Sequence, residues 1–459
     1  MKKYDAIIIG FGKGGKTLAA DLGNRGWSVA VIERSSSMYG GTCINIGCIP
    51  TKLLVHLSQT AHYHEFTTFE QYANAFHQAI EEKRNITSML RRKNFENLDT
   101  KDTVTVYTGI ASFRSLSEIE VRTESETFVL EGEKIFINTG ATTVIPPIKG
   151  VSDNPFIYTS TSIMELDKLP RHLTIVGGGY IGLEFASIFA NFGSKVTVLE
   201  DGDKFIPRED RDIAEAVKAV LEKKGISIQL NAIVQEIEHD ADKATIIYRN
   251  AQNGETTRVE ADAVLLATGR RPNTEGLNLE AVGVKLTERG AIEVDDHLHT
   301  SVNNIWAIGD VRGGLQFTYL SLDDYRIIRD ELFGNDRRNT GDREAIAYSV
   351  FIDPPLSHVG MTEEQARHTG RNIKVGKILA ASMPRTLTVG QTDGLLKTVI
   401  DADTNQILGC TLFCAESSEV INIVSLAMRM NNNYVYLRDN IFTHPSMSES
   451  LNDLYSSIK

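Results

Sequence analysis

The sequence predicts an α/β chain in which two units built on parallel strands precede a C-terminal α+β domain. Three observations predict it. Residues 4–33, "YDAIIIGFGKGGKTLAADLGNRGWSVAVIE", run from an apolar strand through a glycine turn into a helix, then to a second strand ending on an acid. Residues 172–200, "HLTIVGGGYIGLEFASIFANFGSKVTVLE", repeat that order. From about residue 346 strands and helices continue without a glycine fingerprint.

Composition narrows the class. A chain of 459 residues has room for two to four domains. With 41% hydrophobic and 24% charged residues it reads as a soluble globular protein. A net charge of −12 gives nucleic-acid binding little electrostatic support. No run approaches the ~20 apolar residues that span a bilayer, and "AIIIG" near the start is too short for a signal peptide. We therefore expect no nucleic-acid or membrane partner and a cytoplasmic location. Four cysteines in this length do not make a disulfide scaffold.

In the first unit Gly10, Gly12 and Gly15 follow a strand and open a helix. Gly10 permits the tight turn, Gly12 lets the backbone approach a pyrophosphate, and Gly15 lets the helix pack on the strand. The free N–H groups of the helix start then hold the phosphates. Glu33, ending the second strand, is placed to accept hydrogen bonds from a ribose. In the second unit Gly177, Gly179 and Gly182 repeat the pattern and Glu200 takes the place of Glu33; the step from third glycine to acid is eighteen positions in both. Two such Rossmann-like units imply two bound dinucleotides, the arrangement that electron transfer between NAD(P)H and FAD requires. A helical stretch around residues 76–98 interrupts the first unit. The turns Thr139–Gly140 and Thr268–Gly269 each follow an apolar strand, "TTVIPPIKG" crosses to the second unit, and the strand in "NIWAIGD" ends at Asp310. We expect an FAD-binding domain over 1–150 and 271–345, an NAD(H)-binding domain over 151–270 and a third domain over 346–459.

"GGTCINIGCIPTK", residues 40–52, holds Cys43 and Cys48. In a regular helix Cα atoms five apart are about 8.7 Å from each other, too far for a disulfide, which needs less than about 7 Å. Gly47 and Pro50 indicate a segment only entering a helix, and a distorted first turn would bring the sulfurs together. Cys48 would then lie near a helix N-terminus, where a thiolate is stabilised, with Lys52 one turn on along the same face. A zinc site needs two more ligands at finger-like spacing, and His56, His62 and His64 read better as helix-surface residues. A redox-active disulfide is the better reading. Cys410 and Cys414, about 13 Å apart along a strand, read as buried small hydrophobes.

With both fingerprints, "ATGRRPN" (267–273), "NIWAIGD" (304–310) and "THPSMSE" (443–449), the cysteine segment resembles the signature of the class I pyridine nucleotide-disulfide oxidoreductases, the family of lipoamide dehydrogenase, glutathione reductase and mercuric reductase. The resemblance covers essentially the whole chain. It implies that Cys48 is the charge-transfer thiol beside the flavin and Cys43 the interchange thiol facing the acceptor. It implies that Lys52 sits near flavin N5, paired with Glu184, and that Tyr180 gates the nicotinamide site. Asp310 would bind the FAD ribityl chain, and Gly41, Thr42, Thr139, Gly140 and Gly269 would join the dinucleotide-binding residues. Residues 346–459 would be a dimerisation domain. His444, oriented by Glu449, would reach the cysteines of the other subunit as acid–base partner, in a homodimer with a composite site. Ser446 and Glu449 also fit a capping box, S-x-x-E, so Glu449 has a structural reading as well.

The chain ends "LNDLYSSIK", without the terminal cysteines of large thioredoxin reductases and mercuric reductases. "GGLQFTYLSLDDYRIIRD" (313–330) departs from the small, apolar helix start usual after the GD motif, which counts against lipoamide as substrate. That segment looks like the reactive-chlorine-resistance flavoproteins of bacteria, NADH-dependent copper(II) reductases. The expectation is an enzyme passing electrons from NADH through FAD and the Cys43–Cys48 disulfide to copper(II), with transient copper at the two thiols, in resistance to oxidative or hypochlorous stress. The alternatives are a dihydrolipoamide dehydrogenase-like reductase, or a redox-sensing or copper-sequestering dithiol protein without turnover.

Overall fold

The run Ala6–Ile9 is buried on both sides, as a β-branched stretch in the middle of a parallel sheet must be. In the computed structural model, which describes residues 1–64 and 66–459, it belongs to the strand Lys2–Ile9. This strand pairs in parallel with Val29–Glu33 on one side and Thr127–Ile137 on the other. Val104–Thr108 extends the sheet beyond Val29–Glu33, and Ile305–Ala307 adds to Thr127–Ile137. Glu118–Arg122 and Ile110–Phe113 complete seven strands through antiparallel pairing. Successive side chains go to opposite faces. Ile7, Ile32, Ile135 and Phe113 pack in one cluster, and Ile8, Val31, Phe136 and Trp306 in another with the helix residues Leu18 and Ile327. The pairing sets Ile9 beside both Ile32 and Ile137, and Ile137 beside Ala307. The carboxyl ends of four strands therefore converge, which is where open parallel sheets bind ligands.

These elements belong to one of two units, made of residues 1–53, 80–145 and 269–343; the other comprises 54–79, 146–268 and 344–459. The second unit holds an all-parallel sheet in the order Ser227–Gln229, Lys195–Leu199, His172–Val176, Ala263–Leu266, Ile157–Thr159. A three-stranded antiparallel sheet over Ala232–Ala261 follows strand Lys195–Leu199 in the chain. Residues 346–459 form a five-stranded antiparallel sheet, from Tyr348–Val350 to Ile407–Phe413, with helices Ser417–Arg429 and Ser450–Ser456 in its core cluster. Buried Lys397 of this sheet pairs with Asp210 at 2.9 Å, Asp212 at 3.0 Å and Glu363 at 2.8 Å, tying it to the start of helix Arg211–Lys223. Cys410 and Cys414 lie in the core, where burial pushes the Cys410 thiol up to about 12.

The repeated fingerprint is a repeated backbone. Strand Lys2–Ile9 leads into helix Lys13–Asn24, and His172–Val176 into Tyr180–Asn191, twelve residues each. Gly10 has φ +102° and Gly177 φ +107°, a region open to glycine. A Cβ on either would strike a carbonyl oxygen, that of Asn138 at 2.4 Å or of Ala267 at 2.5 Å. Gly12 and Gly179 cap the two helices with near-identical dihedrals, −67°/173° and −73°/175°.

Candidate active site: a thiol pair beside a nucleotide cradle

The first cradle is more crowded than expected. A Cβ on Gly12 would meet not open space but the Asn138 side chain, at 2.4 Å. Asn138, which precedes the Thr139–Gly140 turn, is buried; its Oδ1 accepts from Gly15 N–H (2.9 Å) and its Nδ2 donates to the Ile308 carbonyl (2.7 Å). It bridges three strand-end loops. Gly14 N–H donates to Ser321 Oγ (3.1 Å). The helix start therefore does not offer all its N–H groups to phosphate. The N–H groups of Gly12 and Lys13 are the ones that donate to no described residue. Thr139 Oγ1 donates to the Asn273 carbonyl (2.7 Å), and Gly140 turns the chain with φ +73°. Glu33 accepts from Phe11 N–H (3.0 Å) and Ser35 N–H (3.3 Å), so it braces the glycine turn, while its oxygens keep lone pairs for a hydroxyl.

Asp310 sits in the turn Gly309–Arg312, largely buried, and its carboxylate makes no hydrogen bond to a described residue. Burial pushes its pKa up, and Arg270 and Arg312 pull it back. Buried Asp324 holds that turn, accepting from Gly309 N–H (2.6 Å) and Arg312 Nε (3.1 Å). Free N–H groups at a helix start, an acid with lone pairs to spare and a largely buried carboxylate without a donor fit the pyrophosphate, ribose and ribityl hydroxyls of FAD.

The second cradle is open. Nothing lies within 4 Å of a Cβ built on Gly179, so its backbone leaves room for a phosphate, and Gly182 must be glycine because a Cβ would meet the Gly177 carbonyl at 2.2 Å. Glu200 accepts from Gly178 N–H (2.6 Å) and Gly202 N–H (3.2 Å). Gly269 turns the chain with φ +102° after strand Ala263–Leu266. Tyr180 opens the helix and donates through its hydroxyl to Glu209 Oε1 (2.6 Å), which Tyr348 also contacts at 2.6 Å. Burial, then the Glu209 charge, pushes the Tyr180 phenol up. Glu184, also buried on this helix, accepts from Phe351 N–H (2.9 Å). Glu184 lies in the second unit and Lys52 in the first.

The thiols stand on a broken helix rather than a distorted first turn. Gly41, with φ +78°, caps the short helix Thr42–Asn45, which carries Cys43. A Cβ on Gly41 would meet Gly12 Cα at 2.7 Å, so only glycine brings the cysteine segment this close to the phosphate turn. The chain breaks at Ile46–Gly47 and restarts as helix Cys48–Tyr63, with Cys48 its first residue. Both thiols are free and hydrogen-bonded to each other. That bond holds Cys48, which is exposed, down to about 6, with help from Thr318, whose Oγ1 is 3.3 Å from Sγ, and from the Lys52 charge. Cys43 is pushed far up by the same bond and by burial. The pair therefore loses its first proton near Cys48 and keeps the second on Cys43. Cys43, not Cys48, lines a cavity of about 430 Å³ with Lys13, Lys16, Lys93, Asn94 and Thr318.

His444 Nδ1 is 2.8 Å from Glu449 Oε2, and the imidazole is exposed. The capping box is only half made: Ser446 Oγ accepts from Glu449 N–H (3.3 Å), but the Glu449 carboxylate turns to His444, and the helix begins at Ser450. Sequence reasoning missed Asn138, Ser321, Thr318, Asp324 and Glu209; a signal existed for Asn138, which abuts the Thr139–Gly140 turn, and for the three residues of the departing 313–330 segment. Among the described residues no group of three or more His, Cys, Asp or Glu is placed to hold a metal ion, and no helix is long and apolar enough to cross a membrane.

Two nucleotide cradles and a thiol pair in one chain define a flavin- and nicotinamide-dependent disulfide oxidoreductase. Residues 4–324 match the pyridine nucleotide-disulphide oxidoreductase family and residues 346–455 its dimerisation domain, and the chain belongs to this family. As such it uses FAD and a pyridine nucleotide. It is 52% identical over its full length, and that of the relative, to the probable pyridine nucleotide-disulfide oxidoreductase RclA of Escherichia coli (strain K12). The mitochondrial dihydrolipoyl dehydrogenase of Pisum sativum is 32% identical, over 98% of this chain and 90% of the relative. Among solved structures, the Cu(II) complex of the HOCl-induced flavoprotein disulfide reductase RclA from Escherichia coli is similar with a TM-score of 0.94 and 51% identity, over 99% of each chain.

Proposed function

We propose that this enzyme draws two electrons from NADH through FAD into the Cys43–Cys48 disulfide and delivers them to copper(II), in a cell defending itself against hypochlorous or other oxidative stress. The observation that carries the reading is the thiol pair: Cys48 opens a helix and is held as thiolate, while Cys43 lines a cavity. Thiolates are soft ligands that favour copper(I), the product, so a dithiol draws copper(II) toward reduction. One turnover is NADH plus two Cu(II) giving NAD⁺, H⁺ and two Cu(I); the disulfide takes up two electrons and returns them. Similarity to a HOCl-induced protein solved with Cu(II) supports this acceptor over lipoamide.

The roles follow from the reading. Cys48 faces the flavin and Cys43 the acceptor. FAD, when bound, relays hydride electrons from nicotinamide to the disulfide. Gly10, Gly12, Gly15, Glu33, Gly41, Thr42, Thr139, Gly140 and Asp310 hold it, and Lys52 lies at its reactive edge. Gly177, Gly179, Gly182, Glu200 and Gly269 hold NADH, and Tyr180 covers the nicotinamide site. The enzyme is a cytoplasmic homodimer through residues 346–459, its site completed by His444 and Glu449 of the other subunit. Residues 1–150 and 271–345 form the FAD domain and 151–270 the NAD(H) domain.

The test compares acceptors. With NADH and a copper(I)-trapping chelator, turnover on copper(II) exceeds that on lipoamide, oxidised glutathione and mercury(II), and falls sharply in Cys43→Ser. If lipoamide is the fastest acceptor, the enzyme is a dihydrolipoamide dehydrogenase. If copper turnover survives loss of both cysteines, the metal is reduced elsewhere.

A further inference from the structure

The charged residues lining the cavity beside Cys43 are all lysines: Lys13, Lys16 and Lys93. Among the described residues of the same subunit no aspartate or glutamate lines it, in a chain with 60 acidic residues against 48 basic ones, and in the proposed homodimer the partner's Glu449 would be held by the partner's His444. None of the three lysines forms an ion pair with a described residue. Lys16 is fixed in place: its Nζ donates to Asn94 Oδ1 (2.6 Å) and to the Gly40 carbonyl (3.2 Å), two neutral acceptors, with no carboxylate paired to it among the described residues. Burial, then the neighbouring Lys13, pushes the Lys16 ammonium down to about 8, with the Cys43 charge acting against them. Lys93 is exposed at the rim. Such a concavity concentrates anions and repels a bare divalent cation.

From this geometry we infer that the acceptor entering beside Cys43 carries negative charge, so that copper(II) reaches the thiols as a small anionic chelate rather than as the hydrated ion. The inference rests on the reading of the dithiol as the electron-delivering site. The lysines hold the chelating groups and leave the metal free to meet Cys43. Because they recognise charge rather than copper, the same cavity accepts an anionic disulfide.

The experiment uses holoenzyme, NADH and two matched pairs of acceptors. One pair is copper(II) nitrilotriacetate, an anion, and copper(II) bis(ethylenediamine), a cation. The other is 5,5′-dithiobis(2-nitrobenzoate), an anion, and cystamine, a cation. Each variant is compared with wild type on one acceptor at a time, so the differing potentials of the acceptors cancel. Lys93→Gln lowers kcat/KM for the anions by roughly five- to tenfold and leaves the cations unchanged or faster. Lys93→Glu, a rim substitution that leaves the buried Lys16 contacts intact, deepens the loss. Raising ionic strength from about 20 to about 200 mM slows the anions in wild type and far less in the variants. If the variants change anions and cations alike, or change neither, the cavity does not select charge and the inference fails. If copper turns over without this charge dependence, the copper reading stands and the inference falls. If both copper chelates are inert while the anionic disulfide depends on the lysines, the selection of an anionic acceptor stands and the copper reading falls, the copper chelate with it.

Discussion

Replacing Cys43 with alanine removes the donor that does most to hold Cys48 as a thiolate. A hydrogen bond to a charged group is worth about 1.5–3 kcal/mol, and 1.36 kcal/mol moves a pKa by about one unit. Cys48, at about 6 in the intact pair, should therefore rise by about 1–2 pH units in Cys43→Ala. The sign is fixed by which form the neighbours favour. Cys43, Thr318 and Lys52 all stabilise the anion, so removing any of them moves ionisation to higher pH. At pH 7 the intact thiol is about 90% ionised, about 30-fold more than a free cysteine at ~8.5; the variant should be between about 10% and 50% ionised.

The assay is alkylation of the anaerobically reduced protein by iodoacetamide from about pH 4.5 to 9, with the labelled cysteine located by mass spectrometry. Cys410 and Cys414, each 1% exposed, should stay unlabelled. The midpoint is the readout, since a thiolate of lower pKa is also a weaker nucleophile and plateau rates mix the two effects. In wild type, labelling of Cys48 should rise through about pH 6; in Cys43→Ala it should rise through about pH 7–8. Cys43→Ser retains a donor and should stay nearer wild type, while Thr318→Val should give a smaller upward move. A wild-type midpoint at or above about 8, or a Cys43→Ala midpoint unchanged from wild type, would refute the reasoning.

Three further outcomes follow from the proposed roles. Cys48→Ser should abolish the long-wavelength charge-transfer absorbance of the two-electron-reduced protein while FAD stays bound; a persisting band would mean that another thiolate faces the flavin. NADH should be preferred over NADPH, because Glu200 in its proposed role at the ribose would set a negative charge against a 2′-phosphate and the nearest following arginine, Arg208, is eight residues on; equal kcat/KM for the two would contradict this. Chains carrying Cys43→Ala co-expressed with chains carrying His444→Ala should regain roughly one working site per mixed dimer, and a mixed dimer as inactive as its parents would place the His444–Glu449 pair outside the site or within one subunit.

The features legible in the sequence are those whose cause is local. Gly10 and Gly177 need their positive φ because of the turn they make, and Cys48 gains its helix N-terminus from the four residues that follow it. The positions that escaped reading act across the chain. Asn138 meets Gly15 and Ile308 at separations of 123 and 170 residues, Thr318 meets Cys48 at 270, and Ser321 meets Gly14 at 307. No periodicity or spacing marks such contacts, since they arise only when the parallel strands bring their carboxyl ends together. The same cause shapes two local readings. Gly12 reads as room for a phosphate, yet the tertiary neighbour Asn138 occupies part of that room. Glu449 reads both as a cap and as the partner of His444, and its carboxylate takes the second role, since His444 supplies a stronger partner than the Ser446 N–H.

The departing segment 313–330 gains its meaning from this convergence. Its helix, Thr318–Phe333, places Thr318 on the Cys48 sulfur, Ser321 on the phosphate turn at Gly14, and Asp324 under the turn that carries Asp310. The three side chains lie three residues apart, so they share one helix face. Asp324 is fully buried and answered by Gly309 N–H, Arg312 and Arg343, an arrangement whose disruption typically costs about 3–5 kcal/mol. The helix is therefore fixed against the cradle by its third contact and sets the thiol's environment by its first. A small apolar residue in place of Thr318 would leave the cradle intact while withdrawing a hydrogen bond from the Cys48 thiolate. In this chain the segment that departs from a lipoamide dehydrogenase pattern is thus also the one that sets the environment of the Cys48 thiol.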